Sequence, residues 1–303
     1  MNMLGGKVAI VTGAGRGIGR DIALAMAAEG ARIIVNDLGT GLQGDGEDAA
    51  PAQQVVEEIR AAGGEAAAST LSVSNWDSAH AIIETAVSTF GGIDVLVSNA
   101  GIVRDRIFHN MSQDDWRAVI DVHLNGSFYM SRAAAPYFKA QGNGRFIFMT
   151  SASGLIGNFG QANYAAAKLA LAGLSKSLAL DMVRYGVTSN AICPFAWSRM
   201  IGSIPVETPE EQVRVEKIKR METKKIAPLA VYLASHAAQE VSGQIFGIRA
   251  NEVFLFSQNR PLRSVHRAEG WTPRSIAEHA IPALKGHFYP LDRSADIFNW
   301  DPI

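Results

Sequence analysis

The stretch KVAIVTGAGRGIGRDIALAMAAEGARIIVND, residues Lys7–Asp37, predicts a strand, a glycine turn, a helix and a second strand. The first strand is the apolar run Val8–Val11, and the second is Arg32–Asn36. Between them Gly30 ends a helix whose apolar face is formed by Ile18, Ile22, Leu24, Ala25 and Ala28. Two short apolar strands joined by a helix are the repeating unit of a parallel sheet.

The same alternation of strands and helices continues along the chain. Further apolar strands are predicted at IDVLVSNAG (93–101), GRFIFMTSAS (144–153) and VTSNAICP (187–194). Helical stretches lie between them, including Ser112–Lys139 and Gln161–Tyr185. This alternation predicts an α/β fold with a single doubly wound parallel sheet, Rossmann-like, with helices on both faces. We assign residues 1–256 to this one domain.

Two segments depart from this alternation of strands and helices. DLGTGLQGDGEDAAPAQQ, residues 37–54, is rich in glycine and acidic residues and predicts a flexible insertion without an element of its own. The C-terminal extension, residues 257–303, predicts one short helix after Pro273. We expect the extension to pack on the body or on a neighbouring subunit, because it carries the large aromatics Trp271, Phe288, Tyr289, Phe298 and Trp300.

Composition excludes several classes of protein. The 303 residues are 48% hydrophobic and 19% charged, which is enough apolar material for a core and argues against disorder. The net charge of −1 gives no basic field for nucleic acid or an anionic membrane. No apolar run is long enough to span a membrane. The single cysteine, Cys193, and the absence of recognisable signals at the termini predict a cytoplasmic protein without a disulfide or metal site.

The turn TGAGRGIG, residues 12–19, lies between a strand and a helix, which is the setting of a dinucleotide-binding fingerprint. Small residues let the backbone approach a pyrophosphate, and the helix directs its first amides and its positive dipole end at that anion. We therefore expect a cofactor at this turn, held by Gly13, Arg16, Gly17, Ile18 and Gly19.

Asp37 ends the second predicted strand, where a carboxylate can accept hydrogen bonds from both ribose hydroxyls. The same charge repels a 2′-phosphate, although Arg16 in the turn could soften that repulsion. This pattern favours NAD over NADP. The alternative is that Asp37 only caps the insertion.

Tyr164 and Lys168 are four residues apart in a predicted helix, so their side chains share one face. We expect the Lys168 ammonium to lower the pKa of the Tyr164 phenol and so to make it useful for acid–base chemistry. Ser151 lies at the C-terminal end of the predicted strand RFIFMTS, where ligands meet open α/β sheets, and its hydroxyl could hold a substrate oxygen. A tyrosine and a lysine at this spacing are also common as ordinary helix residues.

The conjunction of motifs resembles the short-chain dehydrogenase/reductase family. It comprises the glycine turn, NAG at 99–101, Ser151, and YAAAK at 164–168. The resemblance implies that Ser151, Tyr164 and Lys168 are catalytic and that Tyr164 transfers the proton. It further implies that Tyr164 and Lys168 contact the cofactor, with Lys168 at the nicotinamide ribose, and that Asn99 lies against it.

Three positions differ from the family pattern. His123 replaces an asparagine that completes a proton relay, and is either a relay residue or a core histidine; nearby Asn125 is two positions away from that site. Ser72 and Val73 replace an Asp-Val pair that contacts adenine. Phe195 replaces the glycine of a Pro-Gly pair, while Ser198 keeps the hydroxyl that contacts the cofactor carboxamide.

Longer stretches resemble one subfamily, the (3R)-hydroxyacyl-CoA dehydrogenase unit of peroxisomal multifunctional enzyme type 2 and its stand-alone bacterial relatives. These stretches are VNDLGTG, EEIRAAGGEA, NAGIVRDRIFHNMSQDDW, VHLNGSF and SASGLIGNFGQANYAAAKLAL. The resemblance implies NAD-dependent oxidation of a (3R)-3-hydroxyacyl-CoA. The alternatives are a steroid or other bulky-alcohol dehydrogenase, a 3-oxoacyl-carrier-protein reductase, and a non-catalytic dinucleotide sensor.

The resemblance also implies partners. An acyl-CoA substrate needs basic residues for its phosphates, for which the candidates are Arg104, Arg106, Arg260, Arg263 and Arg267. We expect the substrate pocket to involve residues 195–221. A homodimer or homotetramer is expected through the helices at 112–140 and 161–185, whose many small residues allow close approach.

Overall fold

The computed structural model describes residues 2–197 and 208–302. One eight-stranded sheet has the strand order β3-β2-β1-β4-β5-β6-β7-β8. The strands are β1 Val8–Thr12, β2 Arg32–Asn36, β3 Ala66–Ser69, β4 Val95–Ser98, β5 Gly144–Met149, β6 Val187–Phe195, β7 Ile245–Arg249 and β8 Glu252–Leu255. The strand order reverses between β1 and β4, and in open α/β sheets ligands bind at such a point.

The predicted parallel sheet is confirmed for seven strands, whereas β8 runs antiparallel to β7. The reversal occurs at Ala250, which adopts a left-handed φ of 53°. Arg249 and Glu252 form a salt bridge of 3.1 Å across this turn. An antiparallel edge strand on an otherwise parallel sheet is a common arrangement.

Helices cover both faces of the sheet. The helices of the described ranges are α1 Gly17–Ala28, α2 Ala50–Ala61, α3 Trp76–Phe90, α4 Gln113–Ile120, α5 Gly126–Gln141, α6 Ala152–Leu155, α7 Ala162–Met182, α8 Pro209–Lys219, α9 Ala227–Ala234, α10 Pro273–Ser275, α11 Ile281–Leu284 and α12 Ser294–Ile297. Alternate residues of β1 point to opposite cores: Ala9 and Val11 pack with α1, α2 and α9, whereas Val8 and Ile10 pack with α3, α5 and α7. No helix within the described ranges is both long and apolar enough to cross a membrane.

The predicted helix Ser112–Lys139 is interrupted by one π-helical turn. Ser112 and Asp115 form a capping box at the start of α4, and the π turn Asp121–Asn125 joins α4 to α5. This turn carries His123, whose side chain is only 1% exposed. The predicted helix Gln161–Tyr185 is confirmed as α7 followed by the 3₁₀ turn Val183–Tyr185.

The insertion ends earlier than predicted. Residues 38–49 form neither helix nor strand, but the last five residues of the predicted segment belong to α2. The reason is local: Asp48 Oδ1 accepts a hydrogen bond of 2.9 Å from the Ala50 amide, and Pro51 occupies the first turn, where a missing N–H costs nothing. Residues 38–49 are called the glycine-rich insertion below.

The C-terminal extension contacts the body at its end. The predicted helix after Pro273 is confirmed over residues 273–284, and α12 is a further, unpredicted helix. Phe298 lies 4.5 Å from the ring centre of Phe195, and the Ser294 amide donates to the Gly157 carbonyl over 3.0 Å. In contrast, Phe288 and Tyr289 are 58% and 81% exposed within the single chain.

Candidate active site

A cavity of about 490 Å³ opens at the carboxyl ends of the strands, where the strand order reverses between β1 and β4. It is lined by most of the predicted site residues, namely Gly13, Arg16, Gly17, Ile18, Asp37, Ser72, Val73, Asn99, Tyr164 and Lys168. Gly19 and Ser151 lie beside this lining. Ser198 lies outside the described residues. Most of the site residues that were predicted from the sequence therefore lie around one cavity.

The glycine turn fits a pyrophosphate. Gly13 and Gly17 adopt left-handed φ values of 63° and 56°, which side chains rarely tolerate. A Cβ at Gly13 would lie 2.8 Å from the Ala100 Cα. No side chain caps the start of α1 among the described residues, so its first amides are available to an anion.

Polar side chains hold the turn in place. Asn99 Nδ2 donates to the carbonyls of Thr12 and Gly13 over 2.9 and 3.0 Å. Thr12 Oγ1 accepts from the amides of Asn99 and Ala100, each over 3.0 Å, and so ties β1 to the end of β4. A Cβ at Gly19 would lie 2.2 Å from the Gly13 carbonyl oxygen, which explains why glycine follows the turn into α1.

Asp37 both lines the cavity and anchors the backbone around it. Its Oδ2 accepts from the Gly15 amide over 2.7 Å, and its Oδ1 accepts from the Gly39 amide over 2.7 Å. The predicted alternative, that Asp37 caps the insertion, is therefore compatible with a binding role, because each carboxylate oxygen has a second lone pair. Ser72, which also lines the cavity, has its hydroxyl 2.8 Å from that of Ser74.

Helix α7 brings Tyr164 and Lys168 to the other end of the cavity. Lys168 Nζ lies 5.5 Å from the Tyr164 ring centre and donates to the Met149 carbonyl over 2.6 Å. The side chain of Asn163 fixes the start of this helix: Nδ2 donates to the carbonyls of Arg104 and Asp115, each over 3.0 Å. Asn163 is fully buried and is a positioning residue that the sequence did not reveal.

Burial dominates the ionisation of Tyr164 and Lys168. It raises the pKa of Tyr164 to about 12, although a hydrogen bond with Ser151 acts in the opposite direction. Burial also lowers the pKa of Lys168 to about 7, with a small opposing effect from Cys193. The expectation that the Lys168 ammonium lowers the pKa of Tyr164 is therefore wrong for this chain. The physical reason is that burial of the phenol disfavours its ionised form and dominates its pKa, as burial also disfavours the charged form of Lys168.

His123 is a neutral, buried ring. Its Nε2 lies 2.8 Å from the Ile102 carbonyl oxygen and 3.2 Å from the Ile102 amide nitrogen. Nε2 donates to the carbonyl in one tautomer and accepts from the amide in the other. Burial, followed by the charge of Lys168, lowers the pKa of His123 to about 3. The ring meets Tyr164 edge-on at 5.2 Å between ring centres. A Cβ at Gly101 would lie 2.2 Å from His123 Cε1, so glycine is required beside the ring.

The five arginines that are candidates for binding the phosphates of an acyl-CoA are dispersed. Of the five, Arg104 lines the cavity, and its Nε donates to the Gln43 carbonyl over 2.9 Å. Arg263 contacts His287 and Arg267 pairs with Glu269, both within the C-terminal extension. Within residues 2–197 and 208–302, no cluster of three His, Cys, Asp or Glu side chains could hold a metal ion.

Comparison with known proteins gives the family. The short chain dehydrogenase family profile matches residues 7–198. The chain is 41% identical to peroxisomal multifunctional enzyme type 2 of Mus musculus over 279 residues, which cover 90% of this chain but only 36% of that enzyme. It is 40% identical to hydroxyacyl-CoA dehydrogenase ChsB1 of Mycobacterium tuberculosis over 265 residues, covering 84% of this chain and 80% of that one.

A solved structure agrees with this result. A short chain dehydrogenase from Mycobacterium avium superposes with a TM-score of 0.82 and 42% sequence identity, covering 95% of this chain and 97% of that chain. Together with the glycine turn and the cavity at the reversal of strand order, these matches identify the chain as a member of the short-chain dehydrogenase/reductase family, an oxidoreductase that binds a nicotinamide dinucleotide.

Proposed function

We propose that this protein oxidises a (3R)-3-hydroxyacyl-CoA to the 3-oxoacyl-CoA with NAD as the hydride acceptor. The observation that carries the proposal is the meeting of Tyr164, Lys168 and Ser151 at one end of a cavity whose other end is the glycine turn and Asp37. The substrate class is supported by the 40% sequence identity to hydroxyacyl-CoA dehydrogenase ChsB1.

The proposed cofactor contacts divide along the cavity. The glycine turn Gly13–Gly19 would hold the pyrophosphate, and Asp37 would bind the adenosine ribose. Ser72, Val73 and Asn99 would line the path between the adenine and the nicotinamide, with Ser198 at its carboxamide. When bound, the nicotinamide supplies the hydride-accepting chemistry.

The chain's own residues perform the proton transfer. Ser151 Oγ holds the substrate oxygen, and the Tyr164 hydroxyl exchanges the proton with that oxygen. With its pKa at about 12, Tyr164 is a protonated phenol at neutral pH and so is ready to donate in the reductive direction. In the oxidative direction Tyr164 must first lose that proton, and the neutral amine of Lys168, whose pKa lies at about 7, is the neighbouring base that accepts it.

NAD is favoured over NADP by charge. Asp37 lines the nucleotide end of the cavity, and a carboxylate there accepts hydrogen bonds from ribose hydroxyls but repels a 2′-phosphate. The amides of Gly15 and Gly39 hold the carboxylate in its position, so it cannot easily turn away.

We further propose a homo-oligomer, either a dimer or a tetramer. Large apolar side chains are exposed on helices α4, α5 and α7, where assembly is expected: Trp116 39%, Phe128 43%, Leu169 51% and Leu180 73%. Such a surface is typical of an interface. Light scattering should give two or four times the chain mass of 32.4 kDa.

Residues 257–303 remain proposed as an extension of a domain formed by 1–256. We also propose a cytoplasmic location, with which the buried, unpaired Cys193 is compatible.

The substrate class is tested with matched alcohols. Formation of reduced nucleotide should be measured with 3-hydroxyacyl-CoA esters of several lengths, the corresponding carrier-protein thioester, a hydroxysteroid and a small secondary alcohol. We expect the highest kcat/KM with a CoA ester. Turnover of a free steroid alone would favour the steroid alternative, and preference for the carrier-protein thioester with NADPH would favour the reductase alternative. Tight NADH binding without turnover of any alcohol would favour a dinucleotide sensor.

A further inference from the structure

A second carboxylate, that of Asp48 on the glycine-rich insertion, lies next to Arg16, which lines the nucleotide end of the cavity. Asp48 Oδ2 lies 3.8 Å from Arg16 Nη2, while Asp48 Oδ1 accepts from the Ala50 amide over 2.9 Å. The Asp48 amide donates to the Leu38 carbonyl over 3.2 Å. The side chain therefore has one oxygen committed to the start of α2 and the other directed at the glycine turn.

The insertion that carries Asp48 is fixed across the cavity mouth. The Val103 amide donates to the Leu42 carbonyl over 3.0 Å, and Arg104 Nε donates to the Gln43 carbonyl. Gly44 packs against Ile102, where an added Cβ would lie 3.1 Å from Cδ1. Because the middle of the insertion is attached to residues 102–104 and Asp48 is itself bonded to Leu38 and Ala50, Asp48 is held beside Arg16.

Arg16 lines the cavity together with Asp37, the proposed ribose site. Three cationic side chains line the cavity among the described residues, namely Arg16, Arg104 and Lys168. Lys168 lies at the catalytic end and Arg104 is bound to Gln43. A 2′-phosphate on the adenosine ribose would need Arg16 as its counter-ion, and that guanidinium already faces Asp48.

We propose that Asp48 is a positioning residue for cofactor specificity. By pairing with Arg16 it withdraws the cation that would neutralise a 2′-phosphate and adds a negative charge beside the glycine turn. This inference rests on the proposed use of NAD. The side chains of Arg16 and Asp48 are 42% and 53% exposed, so solvent screens the interaction and the effect is modest.

The test compares nucleotide affinities of three full-length proteins. Asp48→Asn removes the charge but keeps an oxygen that can accept from the Ala50 amide. Glu47→Gln removes the same charge from the adjacent position, and no ion pair of Glu47 with Arg16 occurs among the described residues. Dissociation constants of NADH and NADPH are measured by nucleotide fluorescence at low and high salt.

We expect Asp48→Asn to tighten NADPH binding by about fivefold at low salt, from the Coulomb energy of one charge in a water-like medium, and to change NADH binding by less than about twofold. The gain should shrink at high salt. An unchanged NADPH-to-NADH ratio, or an equal shift in Glu47→Gln, would overturn the role of Asp48 and leave the proposed function intact. A parent protein that binds neither nucleotide, or prefers NADPH, would overturn both.

Discussion

The two ends of the cavity differ in what they are made of. The nucleotide end is built from backbone and glycine, and its cation Arg16 has a side chain that is 42% exposed. The catalytic end is built from ionisable side chains withdrawn from water, with Lys168 4% and His123 1% exposed. The first end binds through fixed amides, whereas the second sets its chemistry by burial. A change that affects one end should therefore leave the other largely intact.

The largest expected effect is at the catalytic end. Tyr164→Phe keeps the ring that meets His123 edge-on but removes the hydroxyl that exchanges the proton. We expect kcat to fall on the order of 10³-fold, as is typical when general acid–base catalysis is lost, while NADH affinity changes little. Steady-state kinetics and a fluorescence titration measure the two quantities.

The matched control for this variant is Tyr185→Phe, which makes the same chemical change in the 3₁₀ turn after α7. It should retain the parent kcat. Near-normal turnover in Tyr164→Phe would remove Tyr164 from the mechanism, and loss of NADH binding together with turnover would mean that the two ends are not separable.

The next effect is at the nucleotide end. Gly13→Ala forces a side chain into a left-handed conformation and places its Cβ 2.8 Å from the Ala100 Cα. We expect the free energy of unfolding to fall by about 1 to 3 kcal/mol and NADH binding to weaken by at least about tenfold, because the turn must shift. Denaturant unfolding and NADH titration measure these changes. Gly92→Ala, at a site with open space around it, should match the parent in both. Parent-like NADH affinity in Gly13→Ala would mean that this turn does not approach the cofactor.

The third expected effect concerns stability alone, through its dependence on pH. Burial lowers the pKa of Lys168 to about 7 from a usual value of 10.5. Between these values the unfolded chain binds the extra proton, so this group makes the folded chain more stable as pH rises from about 7 to about 10.5, with a slope of at most about 1.4 kcal/mol per pH unit. Lys168→Met should flatten that slope.

Unfolding by denaturant across this pH range checks the Lys168 prediction, with Lys176→Met on the same helix as the control. The control should keep the slope of the parent. Identical slopes in the parent and in Lys168→Met would show that Lys168 titrates at its usual pKa and that burial does not govern the catalytic end.

The same difference between the two ends explains what the sequence could predict. The glycine turn and the strands on either side of it are local features, because left-handed backbone and close approach select glycine and buried strands select apolar runs. The strand–turn–helix–strand prediction over Lys7–Asp37 is confirmed in full. The positions of Tyr164 and Lys168 on one helix face were also predictable, because helical spacing alone places them there.

Other features depend on contacts between distant parts of the chain. Asn163 and Thr12 hold the site through hydrogen bonds to residues far away in sequence, and neither has a periodic pattern that marks it. The turn before β8 uses Ala250 in a left-handed conformation where no glycine signals it. The pKa of Tyr164 depends on burial, which residue spacing does not specify, and this is why its predicted direction was wrong.

The most direct test of the proposed function is stereochemical. Initial rates of reduced-nucleotide formation should be measured for one (3R)-3-hydroxyacyl-CoA and its (3S) epimer, each with NAD and with NADP, in the parent and in Tyr164→Phe. We predict that the (3R) ester with NAD is oxidised at the highest rate and that this rate is lost in the variant. Preference for the (3S) ester, or equal rates with the two epimers, would contradict the proposed substrate.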